Sequence, residues 1–332
     1  MKSKILILGS GIASSAYASI LVHKKIDGII LGSPFDNHII RSFKKNKIDK
    51  RNKIKFSKKI TFLFDDEYHF LKNKKFDLII IGTNSKGLSW AIKRLNNLKI
   101  NSPILLITKG LVKKNNKILT ISSLFEKSCF NKNIVMAAGP CLASELINKN
   151  NTRTLFASKK IQHAKLTKKI LETSYYHPDL SKDIIGAEVC AAIKNIYATI
   201  IGSSKNIDTQ NLFNPSSALF EQSLKEMRLI TNKMKGSTDT VFGLAGVGDL
   251  YVSVLGGRNS KLGSYLGKGM RYKRITNSVM KGVTVEGADL TMTLGKQILK
   301  TIGHKKLPLL NSLVKSIILD KKLKIDWKMF TH

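Results

Sequence analysis

The stretch Lys4-Ile-Leu-Ile-Leu-Gly9-Ser-Gly11-Ile-Ala-Ser14 decides the fold of the N-terminal half. A short, continuous apolar run ends at a turn with two glycines, and a helical pattern follows over residues 13–23. Gly9 permits a tight turn, and Gly11 lets the backbone approach an anion at the N-terminus of the helix. The sequence therefore predicts a strand, a turn and a helix arranged as a dinucleotide-binding fingerprint, with the small Ser14 in place of a third glycine.

Alternating strand and helix patterns continue through the first half of the chain. Further short apolar runs cover residues 28–31, 76–82, 103–108 and 134–138. This alternation predicts a parallel sheet covered by helices on both faces. From about Ile184 the periodicity becomes helical, with candidate helices at 217–233, 260–266, 287–302 and 307–319. We therefore predict an α/β chain with a Rossmann-like dinucleotide-binding domain over residues 1–184 and an all-α substrate and catalytic domain over residues 185–332.

Composition and charge restrict the class of protein. The chain has 332 residues, 42% of them hydrophobic, which is enough for a large core. Its net charge of +35 raises the alternative of a basic protein that binds polyanions. Arginine, however, supplies only eight of the 57 basic residues, and the lysines are scattered beside Asn and Ile, as AT-rich codons would produce. We expect solvated surface lysines and no nucleic-acid partner, and we expect the densest basic run, residues 44–59, to be a solvated loop.

The cysteines and the lengths of the apolar runs indicate the cellular compartment of the protein. Cys129, Cys141 and Cys190 are odd in number and lack metal-ligand spacing, which argues against a disulfide framework and against a metal site. The chain begins almost directly with its first strand, and no apolar run approaches the ~18 residues that span a bilayer. These features predict a cytoplasmic protein without stable membrane insertion.

A lysine among small and apolar residues is the main chemical signal of the second half. At about 100° per residue, Lys194 and Asn195 share one helix face with Ala191, Ala198 and Gly202. The small side chains would let another backbone or a ligand approach Lys194 closely. Burial there would lower the pKa of the amine toward neutrality and suit it to proton transfer. The alternative is a lysine at a solvated edge of the helix.

Several motifs resemble, in order and spacing, those of the bacterial NAD(P)-dependent glycerol-3-phosphate dehydrogenases. They are Thr108-Lys109-Gly110-Leu111, Gly139-Pro140-Cys141-Leu-Ala143-Ser-Glu145, Ala192-Ile-Lys194-Asn195, Asn214 through Glu226-Met227, Gly243 through Gly248-Asp249, Arg258-Asn259 and Val285-Glu286-Gly287. The resemblance implies a 6-phosphogluconate dehydrogenase-like architecture. It also implies reversible reduction of dihydroxyacetone phosphate to glycerol 3-phosphate with NAD or NADP, for phospholipid synthesis.

The same resemblance implies roles for individual residues. Lys194 would be the proton donor and acceptor. The small phosphorylated substrate would contact Lys109, Gly139, Cys141, Lys194, Asp249, Gly257, Arg258 and Asn259. The cofactor would contact Gly9, Gly11, Ile12, Ala13, Lys109, Ala143, Arg258, Thr284 and Glu286. The residues themselves leave alternatives open, since Asp249 and Glu286 could cap helices and Arg258 could be a surface arginine. The oligomeric state also stays open, with a homodimer as one alternative.

Some positions depart from the family pattern. Ser14 replaces its third fingerprint glycine, Ala13 an aromatic residue, Cys141 a Ser or Thr, and Gly257 a Ser. Where the family has Trp-x-Arg after the second strand, residues 31–36 offer neither an acid at the strand tip nor an arginine, so the choice between NAD and NADP stays open. Alternatives for the whole chain are a ketopantoate or 3-hydroxyacid reductase of the same architecture, or an inactive basic relative.

Overall fold

The computed structural model describes residues 3–115, 117–205 and 213–330. These residues form two compact units. The first comprises the described parts of Met1–Lys109 and Thr120–Ile184, and the second those of Gly110–Leu119 and Ile185–His332. The short segment Gly110–Leu119 therefore belongs to the second, helical unit, although residues of the first unit flank it in sequence. The sequence pattern does not predict this placement.

Eight of the twelve strands in the described residues form one sheet. The strands are β1 (Lys4–Leu8), β2 (Asp27–Leu31), β3 (Ile48–Asp49), β4 (Ile54–Lys55), β5 (Ile60–Leu63), β6 (Leu78–Ile81), β7 (Ile104–Leu106), β8 (Leu111–Lys114), β9 (Lys117–Thr120), β10 (Ile134–Ala138), β11 (Thr152–Ala157) and β12 (Tyr176–Ser181). The sheet order is β12-β11-β10-β7-β6-β1-β2-β5, and all neighbours are parallel except β10 and β11. The other four strands pair as β3-β4 and β8-β9.

The predicted parallel sheet is confirmed for β1, β2, β6, β7 and β10. Strands β5, β11 and β12 were not predicted, because polar residues interrupt their apolar pattern, as Thr61 does in β5. The strand order changes direction between β1 and β6, since β2 lies on one side of β1 and β6 on the other. In open α/β sheets ligands bind at the carboxyl ends of the strands at such a point. The turn at Gly9 follows β1 there.

Helices account for most of the second unit, as predicted. The α-helices are α1 (Ile12–His23), α2 (Asn37–Asn46), α3 (Leu88–Leu98), α4 (Ile121–Ser128), α5 (Ala143–Ile147), α6 (Ile161–Leu171), α7 (Ile184–Gly202), α8 (Phe213–Lys233), α9 (Asp239–Phe242), α10 (Asp249–Leu255), α11 (Arg258–Gly267), α12 (Tyr272–Asn277), α13 (Glu286–Leu290), α14 (Lys296–Ile302) and α15 (Pro308–Ile318). The π-helical turns Leu244–Gly248 and Thr291–Gly295 lead into α10 and join α13 to α14.

The prediction of a solvated loop over residues 44–59 was wrong. The run includes the end of α2, the β3-β4 hairpin and residues that pack against the core of the first unit. Phe43, near the end of α2, and Phe56 are buried and pack edge to face, with their ring centroids 5.1 Å apart. Because the charged side chains alternate with these apolar anchors, the lysines point outward while the backbone is ordered.

The prediction that no apolar stretch approaches membrane-spanning length was wrong for α7. This 19-residue helix is long and apolar enough to cross a bilayer by length and composition, because Glu188 and Lys194 do not lower its average hydropathy sufficiently. It was the one such helix among the residues described, and 89% of its most apolar window is buried inside the protein. Its apolar surface is therefore covered by protein, as in the core helix of a globular unit.

Glycines bring other helices against the backbone of α7. A Cβ added at Gly263 of α11 would lie 2.0 Å from the carbonyl oxygen of Thr199, and one added at Gly287 of α13 would lie 2.3 Å from that of Asn195. No side chain fits at either contact, so the backbones of α11 and α13 touch α7 directly. The prediction that small residues of α7 allow another backbone to approach it is confirmed at Gly202, where an added Cβ would lie 2.5 Å from the carbonyl oxygen of Ser260.

A buried carboxyl group attaches the last long helix to α8. Glu226 accepts hydrogen bonds from the backbone N–H groups of Leu309 and Leu310 at 2.6 and 3.1 Å, at the start of α15. Tyr197 of α7 donates its hydroxyl to the same carboxyl group at 3.1 Å. Glu226 has no exposed surface, and this burial raises its pKa from 4.5 to about 7 despite the hydrogen bonds.

We predict that Glu226 makes stability fall as pH rises between 4.5 and about 7. In that window the folded state retains the proton while the unfolded state releases it, so deprotonation opposes folding. Denaturant unfolding at several pH values should show that the free energy of unfolding of the wild type falls by on the order of 3 kcal/mol across this window. This decrease should be absent from Glu226→Gln.

The matched control is Glu221→Gln on the same helix, where the side chain is 58% exposed. It should keep the wild-type dependence of stability on pH. If the curves of wild type and Glu226→Gln run parallel between pH 4.5 and 7, the carboxyl group of Glu226 has no raised pKa in the folded protein.

Candidate functional site

The turn after β1 has the shape that an anion at a helix N-terminus requires. Gly9 has a φ of +98°, which favours glycine, and a Cβ there would lie 3.0 Å from Thr83. Gly11 is the N-cap of α1, and neither a capping side chain nor an acidic residue occupies the first turn. Ile12 and Ala13 are exposed at the start of the helix. Their position leaves the positive end of the helix dipole facing outward.

Buried hydroxyl groups beside this turn support a nucleotide there. Among the described residues, Ser10 Oγ and Thr83 Oγ1 are buried without a hydrogen-bond partner, although such groups normally have one. Ser14 is fully buried and its hydroxyl lies 3.3 Å from the carbonyl oxygen of Gly82. A side chain at residue 82 would collide with it, so the glycine at 82 makes room for the serine that replaces the third glycine. The residues present thus fit a dinucleotide pyrophosphate.

The other predicted residues of the first unit follow the neighbouring strands. Lys109, after β7, donates from Nζ to the carbonyl oxygen of Gly139, after β10, at 3.1 Å. Gly139 has a φ of +100°. Cys141 and Ala143 are partly buried against the core cluster of the sheet. The structure thus brings Lys109 and Gly139 together at the carboxyl ends of adjacent parallel strands.

The statement that residues 31–36 offer no acid at the tip of β2 was wrong. The turn Pro34–Asp36 folds back, so that Asp36 Oδ2 accepts from the backbone N–H of Ser10 at 3.4 Å and from Ser33 N at 2.9 Å. Ser33 Oγ donates to the same oxygen at 2.9 Å. The Ser-x-x-Asp spacing of a capping box is the sequence signal that would have revealed this placement.

An arginine distant in sequence also reaches the fingerprint turn. Arg51, in the β3-β4 hairpin, donates from Nη2 to the carbonyl oxygen of Ser10 at 2.8 Å. The same side chain makes a paired contact with Asp49, from Nε and Nη2, at 2.9 Å each. Burial alone would raise the pKa of Asp49, but the hydrogen bonds and charge of Arg51 outweigh it and hold that pKa below its usual range. No motif in the sequence indicates this contact.

Lys194 lies in a buried ion pair in the second unit. Its Nζ donates to Asp249 Oδ1 at 2.5 Å and to Ser253 Oγ at 2.8 Å. Lys194 is 8% exposed and Asp249 is 2% exposed, so the lysine is not at a solvated edge of α7. Asp249 is the first residue of α10, and its carboxylate faces the lysine, which favours the orienting role over helix capping.

An amide relay joins three of the motifs beside Lys194. Asn259 donates from Nδ2 to Asn195 Oδ1 at 2.9 Å, and its own Oδ1 accepts from the backbone N–H of Gly287 at 2.9 Å. Asn259 is 7% exposed. Both polar atoms of its amide therefore fix α11 relative to α7 and α13, and the amide has one further N–H with which to contact a substrate.

Arg258 and Glu286 meet at the exposed ends of two helices. Arg258 Nη2 lies 2.5 Å from Glu286 Oε1, and the side chains are 53% and 48% exposed. Each is the first residue of its helix, and Gly257 directly precedes Arg258. Within residues 3–115, 117–205 and 213–330, the remaining guanidinium N–H groups have no hydrogen-bond partner. Thr284 is exposed two residues before Glu286.

Comparison with protein families assigns the chain. The family model described as NAD-dependent glycerol-3-phosphate dehydrogenase N-terminus matches residues 4–164, and the model of the C-terminus matches residues 183–326. The chain belongs to the NAD-dependent glycerol-3-phosphate dehydrogenase family. The two matches together cover most of its length, in agreement with the motif resemblance.

Individual proteins support the same family. The chain is 30% identical over 274 residues to the NADP(+)-dependent glycerol-3-phosphate dehydrogenase of Archaeoglobus fulgidus, covering 80% of both chains. It is 29% identical over 299 residues to the glycerol-3-phosphate dehydrogenase [NAD(P)+] of Francisella philomiragia, covering 85% of both. The crystal structure of glycerol-3-phosphate dehydrogenase from Coxiella burnetii has a TM-score of 0.82 at 24% identity, covering 97% of this chain and 96% of that one, and shows the shared fold.

We predict that Gly257→Ala lowers stability by about 1 to 3 kcal/mol and raises the KM for the phosphorylated substrate. Gly257 precedes Arg258 and has φ +98° and ψ 175°, a conformation that residues with a Cβ rarely adopt. Relief of this strain would displace the start of α11. Thermal unfolding and steady-state kinetics measure the two effects.

Gly256→Ala is the matched control, because Gly256 has an extended backbone with φ −164° and open space around its Cβ position. We expect it to behave as wild type. Equal effects of the two substitutions would contradict the role of the backbone conformation at Gly257.

Proposed function

We propose that this chain catalyses the reversible NAD(P)-dependent reduction of dihydroxyacetone phosphate to sn-glycerol 3-phosphate, with Lys194 as proton donor and acceptor. The buried contact of Lys194 Nζ with Asp249 at 2.5 Å is the observation that carries this proposal. Family membership supports the reaction, since its motifs extend over both units. The family models and the curated relatives support this reaction over the alternative of a ketopantoate or 3-hydroxyacid reductase, since solved ketopantoate reductases resemble this chain in fold alone.

Lys194 is suited to the proton transfer that the reaction requires. A nucleotide bound by the first unit would supply hydride to C2 of the ketone, or accept it in the oxidative direction. As the carbonyl oxygen gains charge, the ammonium group of Lys194 stabilises it and donates a proton, leaving the alcohol and a neutral amine. Asp249 and Ser253 hold the ammonium group in place. In the reverse direction the neutral amine takes the hydroxyl proton.

Arg258 is the proposed ligand of the substrate phosphate. A guanidinium group binds phosphate through paired N–H donors, and Arg258 is exposed with donors beyond the one that contacts Glu286. The relay through Asn259 fixes the start of α11 and hence the backbone from which Arg258 extends. Anchoring the phosphate limits the freedom of C2, an orientation effect that accelerates transfer.

The nucleotide is assigned to residues of the first unit. Gly9, Gly11, Ile12 and Ala13 would hold the pyrophosphate at the N-terminus of α1, where the helix dipole and free N–H groups favour an anion. Lys109 and Ala143 complete the proposed set in this unit, and Thr284 and Glu286 are the proposed contacts of the second.

The cellular setting is also part of the proposal. Glycerol 3-phosphate is the backbone of phospholipids, so the product would enter their synthesis. Among the described residues, Cys129, Cys141 and Cys190 form no disulfide bond, which supports a reducing compartment such as the cytoplasm. A homodimer is proposed as the assembly, and size-exclusion chromatography with light scattering tests it.

We predict that Lys194→Ala lowers kcat about 10² to 10⁴-fold, because the proton donor is removed. Absorbance at 340 nm with dihydroxyacetone phosphate and each reduced nucleotide measures the rate. Since this variant leaves the buried Asp249 without its lysine, Lys194→Arg is the companion variant. It keeps a positive charge but cannot release a proton at neutral pH. Lys225→Ala, on the surface of α8, is the control.

Both Lys194 variants should still bind nucleotide and should retain their helical circular dichroism. A folded Lys194→Arg protein with wild-type kcat would refute the role of Lys194 in proton transfer. Reduction of unphosphorylated 2-oxo acids in place of dihydroxyacetone phosphate would refute the proposed substrate.

We predict that Arg258→Ala raises the KM for dihydroxyacetone phosphate about 10 to 100-fold with a smaller change in kcat, through loss of a charged phosphate ligand. Arg271→Ala, an exposed arginine at the start of α12, is the control. A rise confined to the KM for the nucleotide would assign Arg258 to the cofactor instead. If the KM for dihydroxyacetone phosphate and the KM for the nucleotide both stay unchanged, Arg258 binds neither the substrate phosphate nor the cofactor.

A further inference from the structure

The acid at the tip of β2 bears on which nucleotide the chain uses, a question that rests on the proposed function. NAD and NADP differ at the 2′ position of the adenosine ribose, which carries a hydroxyl in one and a phosphate in the other. In Rossmann-like domains this position is read at the end of the second strand, where an acid accepts from the hydroxyl or an arginine holds the phosphate. Asp36 is the acid that this chain places there.

The carboxylate of Asp36 is held in position by three donors. Oδ2 accepts from the N–H groups of Ser10 and Ser33 and from the hydroxyl of Ser33. Oδ1 has no hydrogen-bond partner among the residues described, and the side chain is half-buried. One oxygen is thus fixed to the fingerprint turn, and the other remains available to accept from a ribose hydroxyl.

The backbone makes this turn rigid. Gly32 has no space for a side chain, since a Cβ there would lie 2.4 Å from Ile40. Ser33 is 8% exposed and caps the turn that returns Asp36 to Ser10. A larger residue at position 32 would therefore displace α2. The carboxylate of Asp36 cannot change its orientation without losing its three hydrogen-bond donors.

The nearby cation does not offset the charge of Asp36. Arg51 makes two hydrogen bonds to the buried carboxylate of Asp49 and one to the carbonyl oxygen of Ser10. Its charge is balanced by Asp49, and the edge formed by Nε and Nη2 is occupied. A 2′-phosphate would thus meet the carboxylate of Asp36 with its like charge, whereas a 2′-hydroxyl would meet an acceptor.

We propose that Asp36 makes this chain an NAD-preferring enzyme by accepting a hydrogen bond from the 2′-hydroxyl of the adenosine ribose and repelling a 2′-phosphate. Phe35 in the same turn is 90% exposed and offers an apolar ring to the adjacent base. Asp36 is here a specificity-determining residue and takes no part in the hydride or proton transfer.

Equilibrium binding of NADH and NADPH to the full chain, followed by nucleotide fluorescence, tests the proposal without substrate. The net charge of +35 attracts any additional phosphate at long range, so titrations are done at about 0.15 M and about 0.5 M salt to screen that attraction. We expect NADH to bind at least about tenfold more tightly than NADPH at both salt concentrations.

Asp36→Asn keeps an acceptor for the serine donors and removes the charge. It should tighten NADPH binding about tenfold while changing NADH binding less than about threefold. Asp36→Ser serves if the asparagine variant does not fold. Asp27→Asn makes the same chemical change at the opposite end of β2 and should keep the wild-type ratio of the two dissociation constants.

The outcomes separate this proposal from the proposed function. If neither nucleotide binds, or if dihydroxyacetone phosphate is not reduced, the proposed function fails. If both bind and NADPH binds equally or more tightly, or if the Asp36 variants keep the wild-type ratio, the role of Asp36 is refuted while the proposed function stands. A wild-type preference for NADPH that Arg51→Ala abolishes would assign the 2′-phosphate to Arg51 instead.

Discussion

Direct contact between backbones at α7 is the constraint on which the second unit depends. Gly263 and Gly287 place α11 and α13 against the carbonyl groups of this helix, closer than any side chain would allow. The contacts fix the two helices whose first residues are Arg258 and Glu286. The amide relay through Asn259 adds directional hydrogen bonds to the same junction, so steric contact sets the distance and hydrogen bonding sets the rotation.

Two buried carboxyl groups near α7 are stabilised in different ways, one by an ion pair and the other by hydrogen bonds. Asp249 lies beside Lys194, and each compensates the charge of the other. Glu226 instead accepts hydrogen bonds from two backbone N–H groups and from the hydroxyl of Tyr197, and its burial raises its pKa despite these hydrogen bonds. The first arrangement suits a group that exchanges a proton with a substrate, since it holds a charged amine away from water. The second suits attachment of one helix to another.

The sequence could predict what local patterns encode. The run before Gly9 is uniformly apolar, so β1 and the helix after it follow from periodicity, and the helix of Lys194 follows from its small residues. The contact of Arg51 with Ser10 could not be predicted, because it depends on the path of a hairpin 41 residues away. Strand β12 was missed because a proline and polar residues mask its pattern, and Asp36 because a turn of three residues reverses the chain.

The direct backbone contacts at α7 also bear on how freely this protein can change in evolution. At Gly263 and Gly287 no substitution is tolerated sterically, whereas the geometry they set does not depend on any surface side chain. Substitutions at exposed positions therefore leave these backbone contacts in place. The chain can therefore carry enough surface lysines for a net charge of +35 and still keep the backbone contacts that hold α11 and α13 against α7.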